Sequence, residues 1–220
     1  MSVVSLLLAL LWASDILAAG RLVQYEPLDV EITDMAAVKR GADFFATHCH
    51  VCHTMKYAVD DPITKAAGIV DRDPLVLDGH EIPDLSLKAL EYSPEHIYTY
   101  LQAYYVDEDS PTGYNNLVMV NTKMPNVLQA LQGEHRLLVE EVEKNTPLPR
   151  LYEVIYKTKP GQVTSEEFYD NLDDLMHYLI YAADPSEVDR LSIAPWVLSY
   201  LAILFILLFV IYLRMKKSYE

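Results

Sequence analysis

The hydrophobic pattern of this chain is uneven, with two continuous apolar runs at its ends and amphipathic stretches between them. Residues 3–13 form the first run, too short to span a bilayer, and it leads into Ala18, Ala19 and Gly20. Residues 1–19 therefore read as a signal peptide, although no Lys or Arg precedes the run and Asp15 interrupts its exit. The second run, residues 193–213, carries no charge and is apolar on every side. At about 1.5 Å per residue it reaches roughly 30 Å, the thickness of a bilayer's hydrocarbon core. Trp196 and Tyr200 lie near one end and Tyr212 near the other, as in an aromatic belt, and Pro195 suits a first helical turn. These features predict a transmembrane anchor over residues 191–213. Arg214, Lys216 and Lys217 follow it, while the stretch before it, DPSEVDR, is mostly acidic. The positive-inside rule puts residues 214–220 in the cytoplasm as a short tail and the main domain, residues 20–190, on the other side.

Within that domain, LVQYEPLDVEI alternates and reads as extended. A helix is predicted to start at Thr33 or Asp34, both good N-caps, and to run through MAAVKRGADFFATHC. Gly41, Phe45 and Cys49 are four apart and share one face, a pattern suited to a close helix crossing. A second helix is capped by Ser93 with Pro94 at its first position, and Ile97, Leu101, Tyr104 and Tyr105 form its apolar face. A third opens on a Thr164/Glu167 capping box and carries Phe168, Leu172, Leu175, Leu179 and Ala182 at helical spacing. Pro185 ends it, and its stripe needs a partner, for which the first helix is the best candidate. DSPTGYNNLVMVNTKMPNV is turn-rich and reads as loop. The β-branched runs on either side of NTPLP read as a small hairpin. No internal repeat is visible, and the fold class expected is mainly α.

Charge adds a constraint. The chain carries a formal charge of −15, and residues 20–192 hold 14 basic against 30 acidic side chains. The acidity belongs to the domain outside the membrane. No basic patch or stripe exists, which argues against nucleic-acid binding. An acidic surface attracts basic partners at long range, besides keeping the domain soluble.

The candidate chemistry is concentrated in FFATHCHVCHTMKY, which holds both cysteines and three of the seven histidines. Cys49, Cys52 and His53 make C-x-x-C-H. In a c-type haem site the two thiols add to the haem vinyl groups and the adjacent histidine becomes the proximal iron ligand. A zinc site built on Cys49 and Cys52 with His48, His50 or His53 is an alternative, but no second C-x-x-C exists to complete it. A redox dithiol needs a thioredoxin-like context that is not visible and leaves His53 unexplained. His48 and His50 sit too close to the attachment point to reach the far face of a haem and read as bystanders. A sixth ligand must come from further away: Met119, Met124, Met176, His80, His96, His135 or His177. Met124 stands out, because it lies in a loop and is followed by Pro125. Met176 and His177 fall on the third helix and read as packing or surface. His/Met ligation raises the reduction potential, as electron transfer to a high-potential acceptor requires.

From about residue 21 onward the chain resembles the cytochrome c1 family. RGADFFATHCHVCHTMKY is similar to the family's haem-attachment helix, PDLSL at 83–87 to its P-D-L-S segment, and YTYLQAYYVDEDSPTGYNNLV followed by KMPNVLQALQGE to the proteobacterial axial-methionine region. DDLMHYLIYAADPSEVDR then leads into a single C-terminal anchor, as in the family. Two departures stand out. Ala58, Val59 and Asp60 replace a frequent R-Y pair, and Lys88 is the only cation where many members carry arginines after P-D-L-S.

The resemblance implies a class-I cytochrome c-like haem domain with insertions, plus one C-terminal transmembrane helix. It implies one covalent haem c on Cys49 and Cys52, with His53 and Met124 as axial iron ligands. It implies an electron-transfer subunit of a quinol–cytochrome c reductase that makes no bonds itself. Its partners would be cytochrome b and a Rieske iron–sulfur protein in a dimeric complex, with cytochrome c as electron acceptor. The location implied is the bacterial inner membrane, with the haem domain periplasmic. A free-standing, membrane-tethered monohaem shuttle is the alternative, although the long stretch from His53 to Met124 and the segment 126–163 suit it less well.

Overall fold

Asp34 starts the first helix as expected: its carboxylate accepts the N–H groups of Ala36 and Ala37, both at 3.0 Å. A computed structural model describes residues 22–77, 79–138 and 147–219. The expected signal peptide, residues 1–19, lies outside the described residues. About half of the described residues are helical. The elements are α1 (Met35–His48), α2 (Pro62–Ala66), β1 (Val76–Leu77), β2 (His80–Glu81), α3 (Lys88–Glu91), α4 (Pro94–Gln102), β3 (Tyr104–Val106), β4 (Tyr114–Asn116), α5 (Gln129–Gln132), β5 (Gly133–Leu137), a 3-10 turn (Leu151–Glu153), β6 (Ile155–Pro160), α6 (Ser165–Ala183) and α7 (Ser186–Tyr219). The strands form three antiparallel pairs, β1–β2, β3–β4 and β5–β6.

The described residues divide into two compact units, residues 22–28 with 93–170 and residues 29–92 with 171–219. The second unit carries the C-x-x-C-H motif. There α1 buries Ala37, Val38, Gly41, Ala42 and Phe45, and α6 buries Leu172, Leu175, Met176, Tyr178 and Leu179. Each fully buried large side chain contributes about 1.5–3 kcal/mol. The two helices meet at Gly41, where a Cβ would fall 1.8 Å from the carbonyl oxygen of Asp174. Phe45 packs on Tyr178 with ring centroids 5.5 Å apart. Arg40 spans the same crossing with two hydrogen bonds to Asp174, at 2.6 and 2.7 Å. The close crossing anticipated from Gly41 and Phe45 is therefore present. Tyr178 also reaches the Thr64 hydroxyl at 3.1 Å, and the Tyr181 hydroxyl donates to Asp61 at 2.8 Å, tying α2 to α6.

The first unit is more sheet-like than the mainly α expectation. Val23, Ala103, Tyr105, Leu117, Val118, Leu151, Val154 and Ile155 form its core. Its extended start is held by Leu22 N–H on the Leu117 carbonyl and Gln24 N–H on the Pro149 carbonyl, both at 2.8 Å. The second helix stops at Gln102, so Tyr104 and Tyr105 leave the helical face assigned to them and enter β3, paired with Asn116 and Asn115. The physical reason is non-local: Leu117 N–H takes the Ala103 carbonyl at 3.2 Å and draws the chain into a ladder. The hairpin expected around NTPLP exists as β5–β6, which pair from Gly133–Pro160 to Leu137–Ile155, while residues 139–146 lie outside the described residues.

The last helix starts at Ser186, not at the apolar run. Asp184 accepts from the Ser186 hydroxyl at 2.7 Å and from Arg190 at 2.7 Å, which nucleates the turn. Pro195 consequently falls inside the helix and not in its first turn. This is the one described helix long and apolar enough to cross a membrane. Its side chains are exposed, Trp196 at 79%, so it is no core helix.

Candidate haem-binding site

The C-x-x-C-H motif lies where α1 ends. Cys49 is the C-cap, its N–H on the Phe45 carbonyl at 2.8 Å. The chain then makes one more helical turn: the Cys49 carbonyl accepts from Cys52 N–H at 3.0 Å and His53 N–H at 2.8 Å. That turn carries two thiols and one imidazole within five residues. The cysteines are not joined to each other. Burial, with Cys52 nearby, pushes the Cys49 thiol up to about 12. A reactive redox dithiol needs the opposite shift, toward thiolate at neutral pH. Among the described residues no group of three or more His, Cys, Asp and Glu side chains is arranged to hold a metal ion.

His53 is oriented from thirty residues away. Its Nδ1 donates to the Pro83 carbonyl at 2.8 Å, which leaves Nε2 as the lone-pair nitrogen. Burial lowers the imidazole pKa, and the Arg72 charge lowers it further, against the raising effect of the Pro83 bond and Asp84. A neutral imidazole with one nitrogen tied and the other available is the form a metal needs.

The segment Pro83–Ser86 supplies more than that carbonyl. Asp84 accepts from the Thr54 hydroxyl and from Lys56 N–H, each at 2.7 Å, and from Ser86 N–H at 2.9 Å. Burial alone would raise the Asp84 carboxyl, but the hydrogen bonds from Ser86, Lys56 and Thr54 outweigh it and hold it below the usual range. Leu85 N–H takes the Thr54 carbonyl at 3.0 Å, and Ser86 Oγ accepts Tyr57 N–H at 3.0 Å. Residues 83–86 are thus stapled along residues 53–57, with a separate job for each position.

Met124, the expected second axial ligand, belongs to the other unit. It is half-buried in the loop after β4. Its carbonyl accepts from the Tyr104 hydroxyl at 3.1 Å. Tyr104 in turn touches the Tyr100 hydroxyl at 2.6 Å, and Tyr100 touches that of Thr122 at 2.8 Å. Burial raises the pKa of both tyrosines, so both hydroxyls keep their protons. Tyr104 and Tyr105, assigned to an apolar face, are buried, and Tyr104 also anchors the Met124 backbone. Three of the other distal candidates are engaged within their own units. Met176 is fully buried on α6, His177 Nδ1 donates to the Asp173 carbonyl at 2.8 Å, and His96 Nδ1 lies 2.8 Å from the Tyr25 hydroxyl. Met119 is 40% exposed.

Two residues of the site escaped sequence reasoning. His50, read as a bystander, bridges backbone groups: Val70 N–H lies 3.2 Å from its Nε2, and its Nδ1 lies 3.2 Å from the His53 carbonyl. Arg72 donates to the carbonyls of His50 and His53, the latter at 3.3 Å. No periodicity or motif marks either one. His48, by contrast, only stacks on Phe44, at 4.4 Å between ring centroids. Lys88 pairs with Glu91 and lies 5.5 Å from the Tyr92 ring centre, so it serves its own short helix.

The donor set fits a haem held through two thioethers and an imidazole. The thiols share one turn, Nε2 of His53 is available, and the buried Nε of Arg72 beside the motif has no protein partner. Together with the apolar C-terminal helix, these features fit the class of membrane-anchored haem proteins. The chain is 29% identical over 234 residues to cytochrome c1 of Allochromatium vinosum, covering 96% of this chain and 94% of that protein. It is 28% identical over 239 residues to a protein of Nitrosomonas europaea named ammonia monooxygenase gamma subunit, covering 97% of this chain and 95% of the other. No family model matches the chain. The first similarity, carried over nearly the whole of both chains, supports a cytochrome c1-type identity and with it a haem-based role in a respiratory chain.

Proposed function

We propose that the chain is the cytochrome c1 subunit of a quinol–cytochrome c reductase, with a class-I cytochrome c fold carrying insertions. The observation that carries this reading is the turn Cys49–His53, with His53 Nδ1 committed to the Pro83 carbonyl at 2.8 Å. In the proposal Cys49 and Cys52 hold one haem c covalently, and His53 and Met124 take the two axial positions. When bound, the haem supplies a one-electron carrier. The chain does the rest. Pro83 fixes the proton on Nδ1 of His53 and so presents Nε2. Asp84 and Ser86 keep the backbone after His53 from shifting, and Tyr104 holds the Met124 loop within its own unit. A methionine sulfur opposite the imidazole favours the reduced state, which suits delivery to a high-potential acceptor.

The electron donor in this reading is a Rieske iron–sulfur protein and the acceptor a cytochrome c, within a dimeric assembly with cytochrome b. The acidic domain, 14 basic against 30 acidic side chains over residues 20–192, suits a lysine-rich acceptor. The apolar helix Ser186–Tyr219 anchors the chain in the bacterial inner membrane, with the haem domain periplasmic and Arg214, Lys216 and Lys217 cytoplasmic.

The test is purification in mild detergent, followed by a haem-stained denaturing gel and near-infrared spectroscopy. A stained band that co-purifies with cytochrome b and a Rieske protein is expected. Met124→Leu should keep the stain and lose the methionine–iron charge-transfer band. An unstained band removes the haem reading, a stained but isolated monomer identifies a tethered shuttle, and an unchanged band in Met124→Leu moves the ligand elsewhere.

A further inference from the structure

The segment after α2 returns to the attachment turn and grips it twice. Val70 N–H can only donate, so its 3.2 Å contact makes His50 Nε2 the acceptor. The ring proton then sits on Nδ1 and points at the His53 carbonyl, 3.2 Å away. Arg72 Nη2 donates to the same carbonyl at 3.3 Å and to that of His50. The carbonyls at the end of a helical turn have no next turn to bond with, so they need outside donors. Here the His53 carbonyl receives two.

The use of a guanidinium for this is unusual. Asp71 and Asp73 flank Arg72 in sequence, yet among the described residues Arg72 forms no ion pair with a carboxylate. It turns to the turn's carbonyls, and its Nε is buried without a partner. A positive charge is therefore held against the backbone of His53 without a carboxylate paired to it, while the Asp84 carboxylate, bound to Thr54 and Lys56, acts on His53 with the opposite sign. Lys88, the cation that follows P-D-L-S, is occupied by Glu91.

We propose that His50 and Arg72 are positioning residues for the iron ligand His53: both fix its carbonyl end while Pro83 fixes its ring, and the Arg72 charge biases the iron toward its reduced state. The proposal rests on the haem reading. Its electrostatic part follows from charge counting. The ferric site carries one more positive charge than the ferrous site, so a fixed neighbouring cation disfavours the oxidised form.

The test uses the full-length protein in detergent, with Arg72→Gln, Arg72→Lys and His50→Gln compared by haem stain, by redox titration and by amide hydrogen exchange across residues 49–57. Arg72→Gln is expected to keep the haem and to lower the ferrous-to-ferric ratio at a fixed ambient potential by roughly threefold to tenfold. Arg72→Lys keeps the charge and loses the planar guanidinium whose Nη2 serves both carbonyls, so its ratio should stay within about twofold while exchange quickens about tenfold. His50→Gln should quicken exchange similarly and leave the ratio within about twofold. An unchanged ratio in stained Arg72→Gln, or unchanged exchange in the other two variants, overturns the proposal. If Arg72→Gln does not accumulate, Arg72→Lys and His50→Gln decide it through exchange alone. An unstained wild-type band would instead remove the haem reading beneath it.

Discussion

Gly41→Ala sets two effects against each other, and the structure decides between them. Helix propensity favours alanine over glycine by about 1 kcal/mol, and Gly41 is in the middle of α1. Packing opposes it. The new Cβ would sit 1.8 Å from the Asp174 carbonyl oxygen, 2.5 Å from its carbon and 2.9 Å from the Tyr178 Cβ. The oxygen belongs to the backbone of α6 and cannot rotate away, so one helix must move by roughly 1.5 Å to restore van der Waals contact. Such a shift loosens Phe45 from Tyr178 and exposes part of the seam. If about 150 Å² of apolar surface is lost from contact, the cost is about 4 kcal/mol at 25 cal/mol/Å². The net change is then about 3 kcal/mol destabilising, or a fall in Tm of roughly 6–12 °C for a domain of this size. Far-UV circular dichroism on the detergent-solubilised full chain measures it. The Soret band of the same sample should move as well, because Cys49 and His50 both hang from the Phe45 carbonyl. A Tm equal to or above that of the parent would refute the crossing geometry and leave propensity as the winner.

Two further outcomes follow from the hydrogen bonds around the site. Asp84→Ala strands the Thr54 hydroxyl, a residue only 4% exposed, along with two backbone N–H groups, and should cost about 2–4 kcal/mol in urea unfolding at pH 7. Because the folded pKa of Asp84 lies below its ordinary 3.8, its contribution is complete above that value and is lost as pH falls through the folded pKa. The gap between parent and variant should therefore narrow in strong acid; a gap that stays constant down to pH 2 contradicts the assignment. Tyr104→Phe removes the donor to the Met124 carbonyl and should cost about 1–2 kcal/mol. With Met124 ligating the iron as proposed, the variant should lose the methionine–iron band at lower alkaline pH than the parent, and coincident titrations would detach Tyr104 from that role.

What was legible in the sequence was local. Asp34 and Thr164 announce α1 and α6 because an N-cap acts on N–H groups two or three residues away. Gly41 and Phe45 announce their crossing because a face is a matter of spacing. Tyr104 and Tyr105 were misplaced because an apolar helix end and a three-residue strand look alike in pattern, and the bond from Leu117 that separates them is distant in sequence. The start of α7 was open to reading in Asp184, Ser186 and Arg190, but the charge-free run further on is the louder signal. In the site, C-x-x-C-H declares itself because one turn must serve two thiols and an imidazole. His50 and Arg72 do not, since their partners lie about 20 residues off and are backbone atoms, which carry no residue identity.

The support of His53 also explains why a four-residue segment thirty positions away belongs to the motif. Pro83 contributes a carbonyl to the ring, Asp84 a carboxylate to Thr54 and Lys56, Leu85 an N–H to the Thr54 carbonyl, and Ser86 a hydroxyl to Tyr57 N–H. The first of these acts on the His53 ring proton and the others on the backbone that carries it. Replacing Pro83 leaves a carbonyl in place as long as the backbone holds its course, so the Pro83 side chain matters less than the bonds of Asp84 and Ser86 that set that course. The side chains of Asp84 and Ser86 thus serve the position of the Pro83 carbonyl. The orientation of one imidazole rests on a segment that acts mostly through the backbone around it.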